Sequence, residues 1–221
     1  MSNSFSFVIP AAGQGKRMGG KLPKSLYEIH GKTVIKRQIE QILRMYENPE
    51  IIVVAGFHHA RMMDHLRPLR NNLSILVNED WETTGTAASV RMAARVSSNN
   101  RLVSIDGDTL IADESLHEVV DSGRDAIGVI KIASETPVFV EVSQEMGCIS
   151  FQRDNTNKLY DWEYMGPTSL SKSAALNLGS GHVFQGLSKQ LPVLAIPIDG
   201  IEFDTQEEFA RAKDWVARVS N

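Results

Sequence analysis

Hydrophobic positions along the chain come in short runs whose period switches between strand and helix. The run 6–11 (SFVIPA) predicts a strand. Residues 33–46 place Ile35, Ile39, Ile42 and Tyr46 on one stripe at helical spacing and predict a helix. The same reading gives strands at 50–56, 73–78, 101–106 and 125–132, with helices at 59–69, 85–96 and 114–122. Short strands alternating with helices call for a parallel sheet covered by helices on both faces. After Ile132 the rhythm changes. Runs 138–144, 147–153 and 158–164 are strand-like, with a DNTN turn at 154–157, and read as an antiparallel excursion. Runs 175–184 and 193–198 return strands. Residues 204–219 close with a helix that starts at Thr205 as N-cap, with acids in its first turn.

These elements fit one α/β domain over 1–221: a Rossmann-like, mixed and mostly parallel sheet with a small antiparallel insertion. The composition of 42% hydrophobic and 23% charged residues is ordinary for a folded globule, and at this length no disulfide or structural metal is needed to support a core. With one cysteine, Cys148, no intrachain disulfide can form, which fits a reducing, cytoplasmic setting. The N-terminus lacks the basic and apolar regions of a signal peptide, and no run is long enough to span a membrane. A net charge of -4 argues against nucleic acid as a partner, so any anion must be held by a local site. The chain carries no extension in which a second catalytic domain would be expected. A homodimer is compatible with all of this, and the sequence does not fix the oligomeric state.

One local site is evident. AAGQGKRMGGKLPKSL, at 11–26, follows the first strand with four glycines, four lysines or arginines and no acid. A strand followed by a glycine loop is a common phosphate cradle. The P-loop pattern fits from Gly15 to Lys21 and then fails, because Leu22 replaces the metal-binding hydroxyl and Pro23 follows. The dinucleotide fingerprint fits Gly13 and Gly15 but has Met18 at its third glycine.

Ala11, Ala12, Gly13, Gly15, Arg17, Met18, Pro23 and Lys24 instead resemble the opening motif of the nucleotidylyltransferases, the sugar-1-phosphate and small cytidylyltransferase type with a glycosyltransferase-A-like fold. That resemblance implies a magnesium-dependent transfer from a nucleoside triphosphate to a small phosphorylated acceptor. It implies that residues Ala11 to Lys16, Gln14 included, hold the triphosphate, and that Arg17 and Lys24 are catalytic. A solvated loop face is the plainer reading of Lys16 and Lys21. The segment 81–94 resembles the part that meets base and ribose, through Gly85, Thr86 and Ser89, although Thr84 or Thr86 as a helix cap would also explain it. Glu82 departs from the glutamine of the uridylyltransferases.

SIDGDTLI, at 104–111, resembles the family's metal motif, which implies Asp108 as a magnesium ligand. Asp106, grouped with the nucleotide contacts, is either an alternative ligand or its partner. GIEFDTQEEFARA, at 200–212, resembles the family's C-terminal segment, which implies Asp204 as a second ligand with Glu202 nearby; magnesium rarely rests on one carboxylate. On the acceptor side the resemblance implies Glu163, Asn177 and Gly179. It divides the domain into a nucleotide part at about 1–132, an acceptor insertion at about 133–198 and a C-terminal metal segment at 199–221. CTP is favoured over UTP by the EFDT segment, while the opening block looks uridylyl-like. A nucleotide-binding regulator without turnover is the reading from another class, and a nicotinamide oxidoreductase the third. His58 and His59 lack a third metal ligand and read as a helix start. Cys148, Met62, Met63, Trp162 and Trp215 read as packing.

Overall fold

The computed structural model describes residues 5–156 and 159–219. The last residue of the turn expected at 154–157, and the first of the strand expected at 158–164, lie outside them. In chain order the elements are β1 (Phe5–Ala11), β2 (Glu28–Ile29), β3 (Lys32–Thr33), α1 (Val34–Met45), β4 (Glu50–Ala55), α2 (His59–Leu66), β5 (Ser74–Val77), α3 (Thr86–Val96), β6 (Arg101–Ser104), β7 (Thr109–Ile111), α4 (Asp113–Asp121) and β8 (Ala126–Lys131). There follow β9 (Phe139–Val142), β10 (Gly147–Gln152), β11 (Trp162–Ser171), α5 (Lys172–Leu176), α6 (Val183–Leu187), β12 (Val193–Pro197), β13 (Gly200–Glu202) and α7 (Gln206–Val219).

The main sheet has nine strands in the order β5-β4-β1-β6-β11-β8-β12-β10-β9. Pairs β1–β4, β1–β6, β4–β5 and β8–β12 are parallel. Strand β11 is antiparallel to both neighbours, β6 and β8. It also pairs with β9, so β11, β8, β12, β10 and β9 close into a five-stranded mixed ring. The expected excursion is therefore not an appendage: its strands complete a small barrel-like wall. Because β11 runs to Ser171, it is longer than the strand expected to end at 164. The Gly166-Pro167 pair reads as a stop in sequence, yet it sits where the ladder shifts register between Met165 and Thr168. A bulge is the place where a sheet tolerates a proline.

Residues 175–184 are not a strand. Ser171 caps α5 by accepting from the Ala174 amide, and a turn with Gly179 at φ +82° leads to α6. Elsewhere the boundaries move by a few residues, as helix ends do. The expected helix at 59–69 keeps α-geometry to Leu66 and continues as a 3-10 segment over Arg67–Asn72.

Two apolar layers flank the sheet. Phe7, Ile9, Ile51 and Val53 pack toward Ile35, Ile39 and Ile42 of α1, Leu66 of α2 and Leu116 of α4. On the opposite face Val8, Ile52 and Val54 meet Ala87, Val90 and Ala94 of α3 and Leu178 after α5. Side chains such as Phe7, Ile35 and Ile39 are fully buried, each contributing roughly 1.5–3 kcal/mol of transfer free energy. Cys148 belongs to the second layer; burial pushes its thiol up to about 12, so it remains protonated and inert. Met62 is buried as expected, whereas Met63 stands 47% exposed and packs little. Trp162 and Trp215 pack at the margins of two clusters, and Trp215 also donates to Asp199. Among the described residues no helix is long and apolar enough to cross a membrane.

A third, smaller cluster positions the chemistry. Met18, Ile29, Val34, Leu110, Phe203, Phe209, Ala212 and Val216 pack beneath α7. Met18, a member of the opening motif, is thereby explained: its side chain anchors the glycine loop in this cluster, and Tyr27 donates to its carbonyl at 2.8 Å. The two-stranded ladder β7–β13 lies beside it and pairs Glu202 with Thr109. Being antiparallel, that ladder brings Asp108, just before β7, toward Asp204, just after β13.

Candidate active site

A cavity of about 540 Å³ opens at the ends of β1 and β6. Its floor is a cluster of charged groups from three distant parts of the chain. The Lys24 ammonium donates to Asp108 at 2.6 Å and also to Asp204, respectively 84 and 180 positions away in sequence. Arg17 pairs with the other oxygen of Asp204 at 2.5 Å and donates to Thr136 at 3.1 Å. Asp108, Glu202 and Asp204 each bring a carboxylate oxygen within 4.8 Å of the others.

Local structure explains these placements. Gly15 adopts φ +65°, and a Cβ there would lie 2.8 Å from Lys24 Cγ, so only glycine lets Lys24 pass beside the loop. Its carbonyl accepts from the amides of Met18 and Gly20 and closes the loop. The amides of Gly13, Gln14 and Gly15 carry no hydrogen bond among the described residues. Pro23 precedes the 3-10 turn Lys24–Leu26 and fixes where Lys24 emerges. Gln38 is polar on the buried side of α1; its amide donates to the carbonyls of Asp106 and Thr109 at 2.7 and 2.6 Å, holding the turn that presents Asp108. Asp204 sits before α7, where Thr205 accepts from the Glu208 amide and Glu208 accepts from the amides of Asp204 and Thr205. This is a capping box, and the expected N-cap Thr205 is in place.

The electrostatics show how crowded the acids are. Burial and then the Asp108 charge push Asp106 up to about 8, against the pull of Lys24. Burial, followed by the charges of Asp108, Asp106 and Asp204, raises Glu202 well above the usual carboxylate range. Burial alone would lower Lys24, but Asp108 and Asp204 override it and hold the ammonium above its ordinary value. The Asp106 Oδ1 atom is shielded from solvent and has no hydrogen-bond partner among the described residues. Such a cluster suits a hard divalent cation, which prefers carboxylate oxygens. The Lys24 ammonium already lodged between two of the acids shows that a positive charge fits there.

Of the residues expected from sequence, Ala11, Ala12, Gly13, Gly15, Lys16, Arg17, Lys24, Gly85, Thr86, Ser89, Asp106, Asp108, Glu163 and Asp204 line the cavity. Gln14 does not; its side chain reaches back to the Gly20 carbonyl at 3.4 Å. Asn177 and Gly179 also lie off the cavity, because the strand meant to carry them is the end of α5 and a turn. From the same segment His182, Val183 and Phe184 reach it instead. The Glu163 carboxylate is taken up by the amides of Ala133 and Ser134 and the Ser134 hydroxyl, so it holds a loop and is not open to a ligand.

Helix α3 starts without a side-chain cap, so neither Thr84 nor Thr86 plays that part. The Ser180 and Gly181 carbonyls take the amides of Gly85 and Ala87 at 2.7 and 3.0 Å. A Cβ on Gly85 would lie 2.4 Å from the Gly181 oxygen. Gly85→Ala should therefore destabilise by about 1–3 kcal/mol, lowering Tm by roughly 2–12 °C for a chain of this size. Thermal unfolding checks it, and an unchanged Tm would show that the 180–182 turn yields freely. Asn78 was not anticipated: it donates to Thr84 at 3.0 Å and to Ser89 at 3.5 Å, fixing this wall. Gln38 was also missed, although a glutamine between Ile35, Ile39 and Ile42 is a signal that a buried amide has work elsewhere.

Comparison with known proteins agrees with this fold. The bifunctional protein GlmU of Neisseria meningitidis serogroup A is 30% identical over 131 residues, which is 58% of this chain and 27% of that protein. The chain thus spans about a quarter of the length of this curated relative. Among solved structures, the inositol-1-phosphate CTP transferase from T. maritima superposes with a TM-score of 0.81 at 15% identity, covering 100% of this chain and 98% of that one. The CTP:phosphocholine cytidylyltransferase from Streptococcus pneumoniae gives 0.76 at 16% identity, covering 96% and 99%. At these identities the solved structures speak for the fold. A family model described as the MobA-like NTP transferase domain matches residues 7–145, and the chain belongs to that family of nucleotidyltransferases.

Proposed function

We propose that the protein is a magnesium-dependent nucleotidylyltransferase that joins a nucleoside triphosphate, CTP in the first instance, to a small phosphorylated acceptor and releases pyrophosphate. The observation that carries this reading is the Lys24 ammonium set between Asp108 and Asp204 at the floor of a cavity rimmed by the glycine loop. The nucleotide part covers about 1–132, the acceptor part about 133–198 and the metal segment 199–221; the single reduced Cys148 suits the cytoplasm.

The roles follow from charge. A magnesium ion held by Asp108 and Asp204 supplies neutralisation and orientation for the nucleotide phosphates. Amides of the loop from Gly13 to Gly15 donate to the triphosphate. Arg17 offers its planar fork to the β- and γ-phosphates. Lys24 leaves its two carboxylates to stand between the α-phosphate and the acceptor phosphate, so that two anions approach and the charge growing in the transition state is stabilised. The acceptor oxygen attacks the α-phosphorus, and the bond to pyrophosphate breaks. The acceptor phosphate is already ionised, so no general base is required. Ser89, held by Asn78, and Thr86 face the base and ribose side of the cavity.

UTP is the second reading, favoured by the opening motif. The test is pyrophosphate release with magnesium from CTP, UTP, GTP, ATP and dTTP against sugar 1-phosphates, phosphocholine and phosphonates. Release with one nucleotide sets the base. Tight nucleotide binding without release in any combination would overturn the proposal in favour of a regulator.

A further inference from the structure

The acceptor side of the cavity is walled by the 133–138 segment, by Arg153 after β10, by the turn entering α6, and by α7. Two guanidinium groups stand here, Arg153 and Arg211, of which Arg211 is paired with Glu208 at 3.6 Å. The Arg153 guanidinium lies over the Phe184 ring, 5.0 Å from its centre. One of its nitrogens donates to the carbonyls of Thr136 and Pro137 at 2.9 and 3.3 Å. Its other nitrogens have no partner among the described residues. Arg211 of α7 approaches the same segment from the other side and donates to the Ala133 carbonyl at 3.1 Å.

Two acids line the cavity on this wall and both are engaged, while Glu135 of the same segment is exposed and lies off the cavity. Glu163 and Glu208 are both buried, and backbone amides fill their oxygens: Ala133 and Ser134 for Glu163, Asp204, Thr205 and Glu135 for Glu208. His182 stacks on Phe184 at 5.9 Å, and burial together with Arg153 lowers its basicity. A quaternary or primary ammonium needs either an open aromatic face or an unpaired carboxylate. Here Arg153 already covers the Phe184 face and both carboxylates are taken. An anionic group would instead meet a guanidinium with free N–H donors, fixed in place by two carbonyls.

We propose that Arg153, supported by Arg211, selects acceptors by charge, and that the acceptor carries an anionic group at the end remote from its reacting phosphate. This rests on the transferase reading above. It separates acceptors that the reaction alone leaves equivalent, since phosphocholine and aminoalkylphosphonates are cationic at that end.

Two matched series test it, each run with the full chain, magnesium and the nucleotide that releases most pyrophosphate. The first is glucuronic acid 1-phosphate, glucose 1-phosphate and 6-amino-6-deoxyglucose 1-phosphate, which differ only at C6. The second is 3-phosphoglycerate, glycerol 3-phosphate and phosphocholine. In the series that is used, kcat/KM should fall from carboxylate to hydroxyl to ammonium, by roughly tenfold or more from end to end. Arg153→Met should shrink that span to within about threefold by raising KM for the carboxylate member, with nucleotide KM unchanged; Arg153→Lys should keep the order. A merely structural role for Arg153 would move Tm and leave the order intact, and that result overturns the proposal. An ammonium member used as well as its carboxylate counterpart also overturns it, while the transferase reading stands. Silence of both series with every nucleotide would sink that reading and this proposal with it.

Discussion

Lys24→Ala should reduce turnover by about three orders of magnitude, the scale of losing a donor aimed at transition-state charge, with the fold retained. The side chain is the only group among the described residues that bonds both Asp108 and Asp204. Steady-state pyrophosphate release checks the loss, and near-wild-type turnover would remove Lys24 from the mechanism. A second readout is thermodynamic. Asp106 holds its proton up to about pH 8 in the folded protein, far above a free aspartate. The folded state therefore binds more protons than the unfolded one between about pH 4 and pH 8, and metal-free stability falls as pH rises through that window. Lys24 opposes the shift of both Asp106 and Glu202, so its loss should steepen the fall. Magnesium should restore Tm at pH 8 by more in the variant than in the wild type. Equal restoration in both would show that Lys24 does not share the acids with a cation.

Asp108→Asn should cost a further large factor, about 10²–10³ in kcat, together with a raised magnesium requirement. The amide keeps the shape and can still meet Lys24 through its oxygen, but it withdraws one of the anionic oxygens that Asp108, Glu202 and Asp204 bring together. Turnover measured across magnesium concentrations distinguishes this from a general loss of structure, which would lower kcat without moving the metal midpoint. A magnesium dependence identical to that of the wild type would place the ion elsewhere.

Much of this site was legible because its parts are local. The loop from Gly13 to Lys24 announces itself through glycines, basic residues and a proline at fixed offsets. Asp108 stands at the end of a buried strand where an acid has no stabilising purpose of its own, and Asp204 was sought because one carboxylate rarely holds magnesium alone. The alternation of runs up to Ile132 carried the parallel half of the sheet. What failed was non-local. Glu163 looked like a ligand contact since nothing in KLYDWEY reveals that two amides from 133 and 134 fold back onto it. Asn177 and Gly179 were assigned to a strand, because a run with two leucines and two glycines says nothing about the serine cap at 171 that starts a helix. Strand β11 was expected to end at 164, since only the neighbouring strands show that it continues through the bulge at Gly166 and Pro167. Arg153 and Phe184 drew no attention, as their relation exists only once β10 and α6 are side by side.

Strand β11 also bears on how such an enzyme can change its substrate. The region matched by the family model ends at residue 145, before this strand begins, yet β11 is threaded between β6 and β8 in the middle of the sheet. The proposed nucleotide and acceptor parts are thus not cassettes that recombination could exchange: a chimera joined at 145 would import the central strand of its own scaffold. On the proposed reading, new acceptors would be reached instead by point changes on the rim, at positions such as Arg153 and His182, which carry the wall but none of the ladder.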